Sequence, residues 1–156
     1  MKKLLNFFLI SIFSLFVISC TYEKINSTDQ KKFHIVDITV EGEKRSAFLV
    51  RKKINRLSNI DSSNKIKILV KLSSKKEILE KNIQNKVTKY KLSIAAQVEV
   101  KDLNTNRDYK RSYSASQSYD VEDRYSATVN NSKEANINLI NKIVDEILDQ
   151  LKIFYT

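Results

Sequence analysis

Lys89-Tyr90-Lys91-Leu92-Ser93-Ile94-Ala95-Ala96-Gln97-Val98-Glu99-Val100-Lys101-Asp102 is the stretch that decides the fold. Tyr90, Leu92, Ile94, Ala96, Val98 and Val100 hold every even position, and mostly polar residues lie between them. Successive side chains of a strand point to opposite faces, so this segment predicts a strand with one apolar and one wet face, as in an antiparallel sheet covered on one side. Downstream, Asp102-Leu103-Asn104-Thr105-Asn106 supplies turn residues, and a partner strand is expected from Arg107 to about Tyr119. On it Tyr109, Tyr113 and Tyr119 share a face with Arg111, while Lys110, Ser112, Ser114, Ser116 and Ser118 share the other. Three tyrosines at this spacing either complete a half-buried edge strand or form an aromatic ladder for a foreign interface.

Upstream, Ile66, Ile68, Val70 and Leu72 alternate with polar neighbours and predict another strand. Between Phe33 and Val40 a first strand is expected, with Val36, Ile38 and Val40 on one face. Gly42, the only glycine, breaks it. Ala47, Val50, Ile54 and Leu57 then recur at three and four, predicting a helix from about Lys44 to Leu57 whose remaining positions hold Arg51, Lys52, Lys53 and Arg56. After a polar stretch at 120–130, Asn131 and Glu134 have capping-pair spacing, and Ile137, Ile140, Val144, Ile147, Leu151 and Phe154 continue as a long C-terminal helix. The order strand, helix, strand, strand, strand, helix predicts an α+β fold: a two-layer α/β sandwich whose four-stranded mixed sheet has two helices on one face and its first two strands parallel. As an unbroken strand 89–102 would run roughly 45 Å, against about 21 Å for the first helix. The sheet must overhang that helix, and an overhanging sheet with open edges calls for a partner.

The N-terminus reads as an export signal. Lys2 and Lys3 precede an uncharged apolar run, Leu4 to Ile18, that ends at Ser19-Cys20. The run is shorter than the roughly 20 residues of a spanning helix. Residues 1–19 are therefore expected to be a cleaved signal peptide, 20–32 a lipidated tether, and 33–156 a single α/β domain. Val17-Ile18-Ser19-Cys20 resembles a bacterial lipobox, which implies diacylglycerol on Cys20, the only cysteine, and a membrane anchor through that lipid. Thr21 in place of Asp resembles the outer-membrane sorting class, so the expected location is the outer membrane, facing the periplasm.

The formal charge is +10, and removal of Lys2 and Lys3 lowers it by two. Such a chain attracts polyanions. Export argues against nucleic acid and leaves lipid-borne phosphate, although a lysine-rich solvated surface accounts for the charge equally well. His34 is the sole histidine and Cys20 is taken by lipid, so neither a catalytic triad nor a zinc site can be assembled; no cofactor or metal is expected. Asp120, Glu122 and Asp123 leave a paired-carboxylate hydrolase as the residual enzymatic reading.

The lipobox, the segment 89–100, the hairpin through Arg107-Asp108, and Ser132-Lys133-Glu134-Ala135 near the start of the last helix together resemble the lipopolysaccharide-assembly lipoprotein family (LptE-like). The resemblance implies an accessory, non-enzymatic subunit that partners an outer-membrane β-barrel translocon and helps lipopolysaccharide reach the cell surface. It also implies lipopolysaccharide binding by basic side chains in two regions. One lies near the loop between the second and third strands, matched here by Lys86 and Lys89. The other is the fourth strand, matched by Lys110 and Arg111. The family's aromatic, proline- and glycine-containing segment after the cysteine is replaced by Thr21-Tyr22-Glu23-Lys24. An outer-membrane lipoprotein that activates a cell-wall synthase, or serves a lipid transporter, is the alternative.

Overall fold

The computed structural model describes residues 33–155; the export segment 1–19, Cys20 and the tether 20–32 lie outside the described residues. The elements are β1 (His34–Glu41), α1 (Lys44–Asn55), β2 (Lys65–Lys81), β3 (Val87–Asp102), β4 (Asp108–Asp120) and α2 (Tyr125–Phe154). The sheet order is β1-β2-β3-β4, with β1 parallel to β2 and the other pairs antiparallel. The expected two-layer α+β architecture is what the chain adopts.

The core follows the alternation. Ile66, Ile68 and Val70 of β2 stand opposite Asp102, Val100 and Val98 of β3, and the next even positions, Ala96 and Ile94, are buried too. Val50 and Ile54 of α1 and Ile140, Ile143, Val144 and Ile147 of α2 close over this face with almost no exposure. Each such side chain contributes about 1.5–3 kcal/mol on burial, which explains why two helices commit to one side of the sheet. At the C-terminal end of α2, Tyr155 meets Phe33 (5.7 Å between ring centroids) and Phe154 meets Tyr109 (5.5 Å), sealing that end of the core.

Three local expectations need correction. Val36 does not share the core face with Ile38 and Val40. The β1–β2 register shifts between Ile35 and Asp37, so Ile35 turns inward and Val36 is left exposed. β2 does not end near Leu72. It continues to Lys81, paired with β3 down to Val87, although Ser73–Lys81 are exposed throughout. Ladder pairing, not burial, holds that half.

Nor does the last helix begin at Asn131. It begins at Tyr125, where Arg124 offers no side-chain cap. The loop before it is instead tied by Thr128, whose hydroxyl bonds Glu122 N and O, and by Asn131, whose Nδ2 donates to Asp120 O at 3.3 Å. Asn131 thus fastens the chain ahead of the helix from its second turn.

Gly42 separates β1 from α1 with φ of +136°, and a Cβ there would lie 2.9 Å from Leu72 Cβ. Both the backbone conformation and the close approach to β2 require glycine. Gly42→Ala is expected to lower stability by about 1–3 kcal/mol, checked by urea unfolding followed by circular dichroism.

Candidate functional site

The basic positions occupy three settings. The first is the β2–β3 hairpin beyond the end of β1. β1 pairs with β2 only through Lys71, so Leu72–Lys81 has β3 on one side and no strand on the other among the described residues. The turn that closes this arm is built by asparagines: Asn82 Oδ1 accepts from Gln84 N and Lys86 N, and Asn85 takes a left-handed φ of 63°. Ile78, Leu79 and Ile83 are 53%, 48% and 104% exposed there. Lys76 Nζ sits 3.7 Å from the Tyr90 ring centroid on the helix side of the arm.

Lys86 lies in the turn, with no carboxylate partner among the described residues. Lys89 lies in β3, near that loop. It bonds Glu80 at 3.2 Å and approaches Asp120 at 3.8 Å. The Glu80 carboxylate, aided by Asp120, raises the Lys89 pKa above its ordinary value.

The second setting is the start of β4. Lys110 faces the open side of the sheet and pairs with Glu99 at 3.0 Å. Arg111 faces the helices, donates to Gln150 Oε1 and lies over the Tyr109 ring. Adjacent strand residues cannot point the same way, so Lys110 and Arg111 do not converge. In the β3 register Lys89 and Glu99, the partner of Lys110, are ten residues apart, about 33 Å along the strand.

 Lys89 and Glu99 mark the two ends of that span, so the four family-matched cations do not form one cluster. Tyr109 and Tyr113 are half-buried against the core and Tyr119 is buried, as for an edge strand packed under a helix.

The third setting, α1, was read from sequence only as a core helix with charged filler. Its outward residues include Lys44, Arg45, Arg51, Lys52 and Arg56, all exposed, around Phe48 at 62% exposure. Phe48, Arg51, Lys52, Asn55 and Arg56 line a shallow surface cavity. The helix is started by Glu43, whose carboxylate accepts from Arg45 N (3.1 Å), Ser46 N (3.0 Å) and Ser46 Oγ (2.6 Å). Asn136 of α2 donates to the same Ser46 hydroxyl at 3.1 Å, so the cap also ties the two helices together. The sequence signal for this face is the lack of any acid between Lys44 and Arg56.

The acidic residues do not assemble a reaction centre. Asp120 faces Lys89, and Glu122 accepts from Asn131 Nδ2 at 3.4 Å. Among the described residues no group of His, Cys, Asp and Glu is arranged to hold a metal, and no helix is long and apolar enough to cross a membrane.

These features define a class: a small basic α+β module with a four-stranded mixed sheet covered by two helices. A family model described as LptE, Lipopolysaccharide-assembly, matches residues 33–152, and the chain belongs to this family. With it comes a lipoprotein role in lipopolysaccharide assembly in the Gram-negative envelope; the family is one of accessory lipoproteins. No curated protein matches the sequence. Among solved structures, lipoprotein B from Nitrosomonas europaea is similar with a TM-score of 0.56 at 17% identity, over 80% of this chain and 88% of that one. Rare lipoprotein B from Shewanella oneidensis gives 0.52 at 14%, over 77% and 99%. A lipoprotein from Caulobacter crescentus gives 0.54 at 13%, over 82% and 93%. At these identities the likeness is one of fold.

The Ser46 hydroxyl, then the Ser46 amide, hold the Glu43 carboxyl below its ordinary 4.5. Glu43→Ala is expected to cost about 1 kcal/mol near neutral pH, the usual size of a cap. Because the folded pKa is depressed, that contribution is complete above 4.5 and fades as pH falls through the lower folded value. Urea unfolding of both proteins near pH 7 and near pH 3 should show a gap that closes at the acid end.

Proposed function

We propose that the chain is an outer-membrane lipoprotein, acylated on Cys20 and facing the periplasm, that partners the β-barrel translocon of lipopolysaccharide and contacts lipopolysaccharide through basic side chains. The observation that carries the partner is the overhanging arm. Among the described residues Leu72–Lys81 leaves one row of backbone donors and acceptors without a neighbouring strand, and its end presents Ile78, Leu79 and Ile83 as exposed. An edge of this kind is a template for strand addition, and β-barrel proteins offer both strands and apolar loops. Lys75, Lys76 and Lys81 along the free stretch are charged edge residues of the kind that discourages pairing between copies.

Tagged full chain extracted in mild detergent should bring down one very large β-barrel protein. Changing Ile78, Leu79 and Ile83 together to Asp should reduce that recovery at least ten-fold, which corresponds to about 1.4 kcal/mol. Recovery of a cell-wall synthase or a lipid transporter instead would replace the proposed partner.

The glycolipid contacts are assigned to Lys86 and Lys89 on the arm and to Lys110 and Arg111 on β4. Arg111 can grip phosphate oxygens with two donors, whereas the lysines act as point charges. Lys89 and Lys110 already have carboxylate partners, so each contributes modestly. Contacts spread over about 33 Å suit an extended ligand better than a single head group. Replacing all four by Ser should weaken lipopolysaccharide binding in a direct binding assay, and an unchanged affinity would place the contact elsewhere.

A further inference from the structure

We infer that the outward face of α1 is a membrane-contact surface that lies on the anionic phospholipid layer holding the chain's own N-terminus. This rests on the reading of Cys20 as the lipid-bearing residue.

The charge on α1 is not explained by helix stability. Cations near a helix C-terminus are favourable, which accounts for Lys52, Lys53 and Arg56. Lys44 and Arg45 occupy the first turn, where the helix dipole disfavours them, and the only acid at that end is the N-cap Glu43. Nor is the charge neutralised. Lys53 reaches Asp145 at 4.0 Å and Arg45 lies near Glu43. Lys44, Arg51, Lys52 and Arg56 have no carboxylate partner among the described residues. On the strands, Lys71, Lys75, Lys89 and Lys110 each have one.

Phe48 supplies the second half of the argument. In a helix its neighbours on the surface are Lys44, Arg51 and Lys52, at four before, three after and four after. An exposed aromatic ring surrounded by cations suits the boundary between phosphate head groups and acyl chains: the ring enters the apolar layer and the long basic side chains reach back to phosphate.

The position of the face supplies the third. Asn59 N donates to Phe33 O at 3.0 Å and Ile35 N to Ser58 Oγ at 2.9 Å. The start of the described chain is thereby stitched to the segment that leaves α1. Only residues 21–32 separate Phe33 from Cys20. At full extension that stretch spans on the order of 45 Å, so the anchoring bilayer stays within reach of α1. Each cation near an anionic lipid surface adds roughly a factor of five to its occupancy. Several of them acting under a tether are sufficient to seat the helix.

The chain contains no tryptophan, so Phe48→Trp is a single fluorescent probe of the face. The full, acylated chain carrying it is reconstituted in vesicles of phosphatidylcholine, with and without phosphatidylglycerol. The expected result is a blue-shifted emission, quenched by brominated acyl chains, only where phosphatidylglycerol is present. It should be lost in 1 M salt, where the Debye length is about 3 Å, and in the additional variant Arg51→Glu/Lys52→Glu/Arg56→Glu. Identical emission in both vesicle types, with the protein fully vesicle-bound, overturns the proposal. A shift that appears only when lipopolysaccharide is added overturns it too, by making the glycolipid the occupant. If palmitate fails to label the chain, the Cys20 reading is lost; the helix face then stands if the unlabelled chain still sediments with phosphatidylglycerol vesicles through Arg51, Lys52 and Arg56, and falls if the triple variant sediments equally.

Discussion

The long antiparallel ladder between β2 and β3, from Ile66 opposite Asp102 to Lys81 opposite Val87, is the constraint on which the other features depend. At one end it carries the core: Ile66, Ile68, Val70, Val98 and Val100 present one apolar face, and both helices are fixed by covering it. At the other end the same hydrogen bonds continue without burial, so the strand outlasts the reason it formed. β1 stops at Glu41 because Gly42 turns the chain across Leu72. The arm is therefore a consequence of two strand lengths that differ, a short parallel neighbour beside a long antiparallel pair.

Charge is sorted along the same division. Strand lysines meet carboxylates across the sheet, Lys110 with Glu99, Lys89 with Glu80, and Lys71 with Glu41. Exposed pairs of this kind add little to stability, roughly 0–1 kcal/mol, but they cancel the local field. On α1 only Lys53 and Arg45 have an acid nearby, while Lys44, Arg51, Lys52 and Arg56 have no carboxylate partner among the described residues. A basic composition therefore says less about ligand binding than the places where the basic residues lack partners.

How much of this was legible in the sequence follows from which residues bury a face. Segment 89–102 and the stripe Ile140, Val144, Ile147, Leu151 were legible because one-sided burial imposes a period on the sequence. Ser73–Lys81 was not, because a strand exposed on both faces needs no alternation. Val36 misled because a bulge changes the face without changing the pattern. Asn131 misled because its spacing to Glu134 is that of a cap, while its side chain is used one turn inside the helix. The opposite orientations of Lys110 and Arg111 were available from period two alone. The basic face of α1 was visible as a lack of acids, yet it was assigned to solvent because the same positions would be polar in any surface helix.

The two surfaces assigned to partners lie on different stretches of the molecule. α1 runs from beside Leu72, where Gly42 turns, back toward Phe33, while the last residues of β2 form the exposed tip. From Leu72 to Lys81 the arm runs on for roughly 30 Å at about 3.3 Å per residue. Groups so far apart, with no shared side-chain partners, act independently in energy. Membrane contact through α1 therefore leaves the arm free, and a partner bound at Ile78 and Ile83 places no demand on the charge around Phe48. What joins them mechanically is the β2–β3 ladder itself, stiff because nearly every residue of both strands is paired. A tether at one end of that ladder fixes where its other end can search, which is how a small basic domain can be held at a bilayer and still present a strand edge to a neighbour.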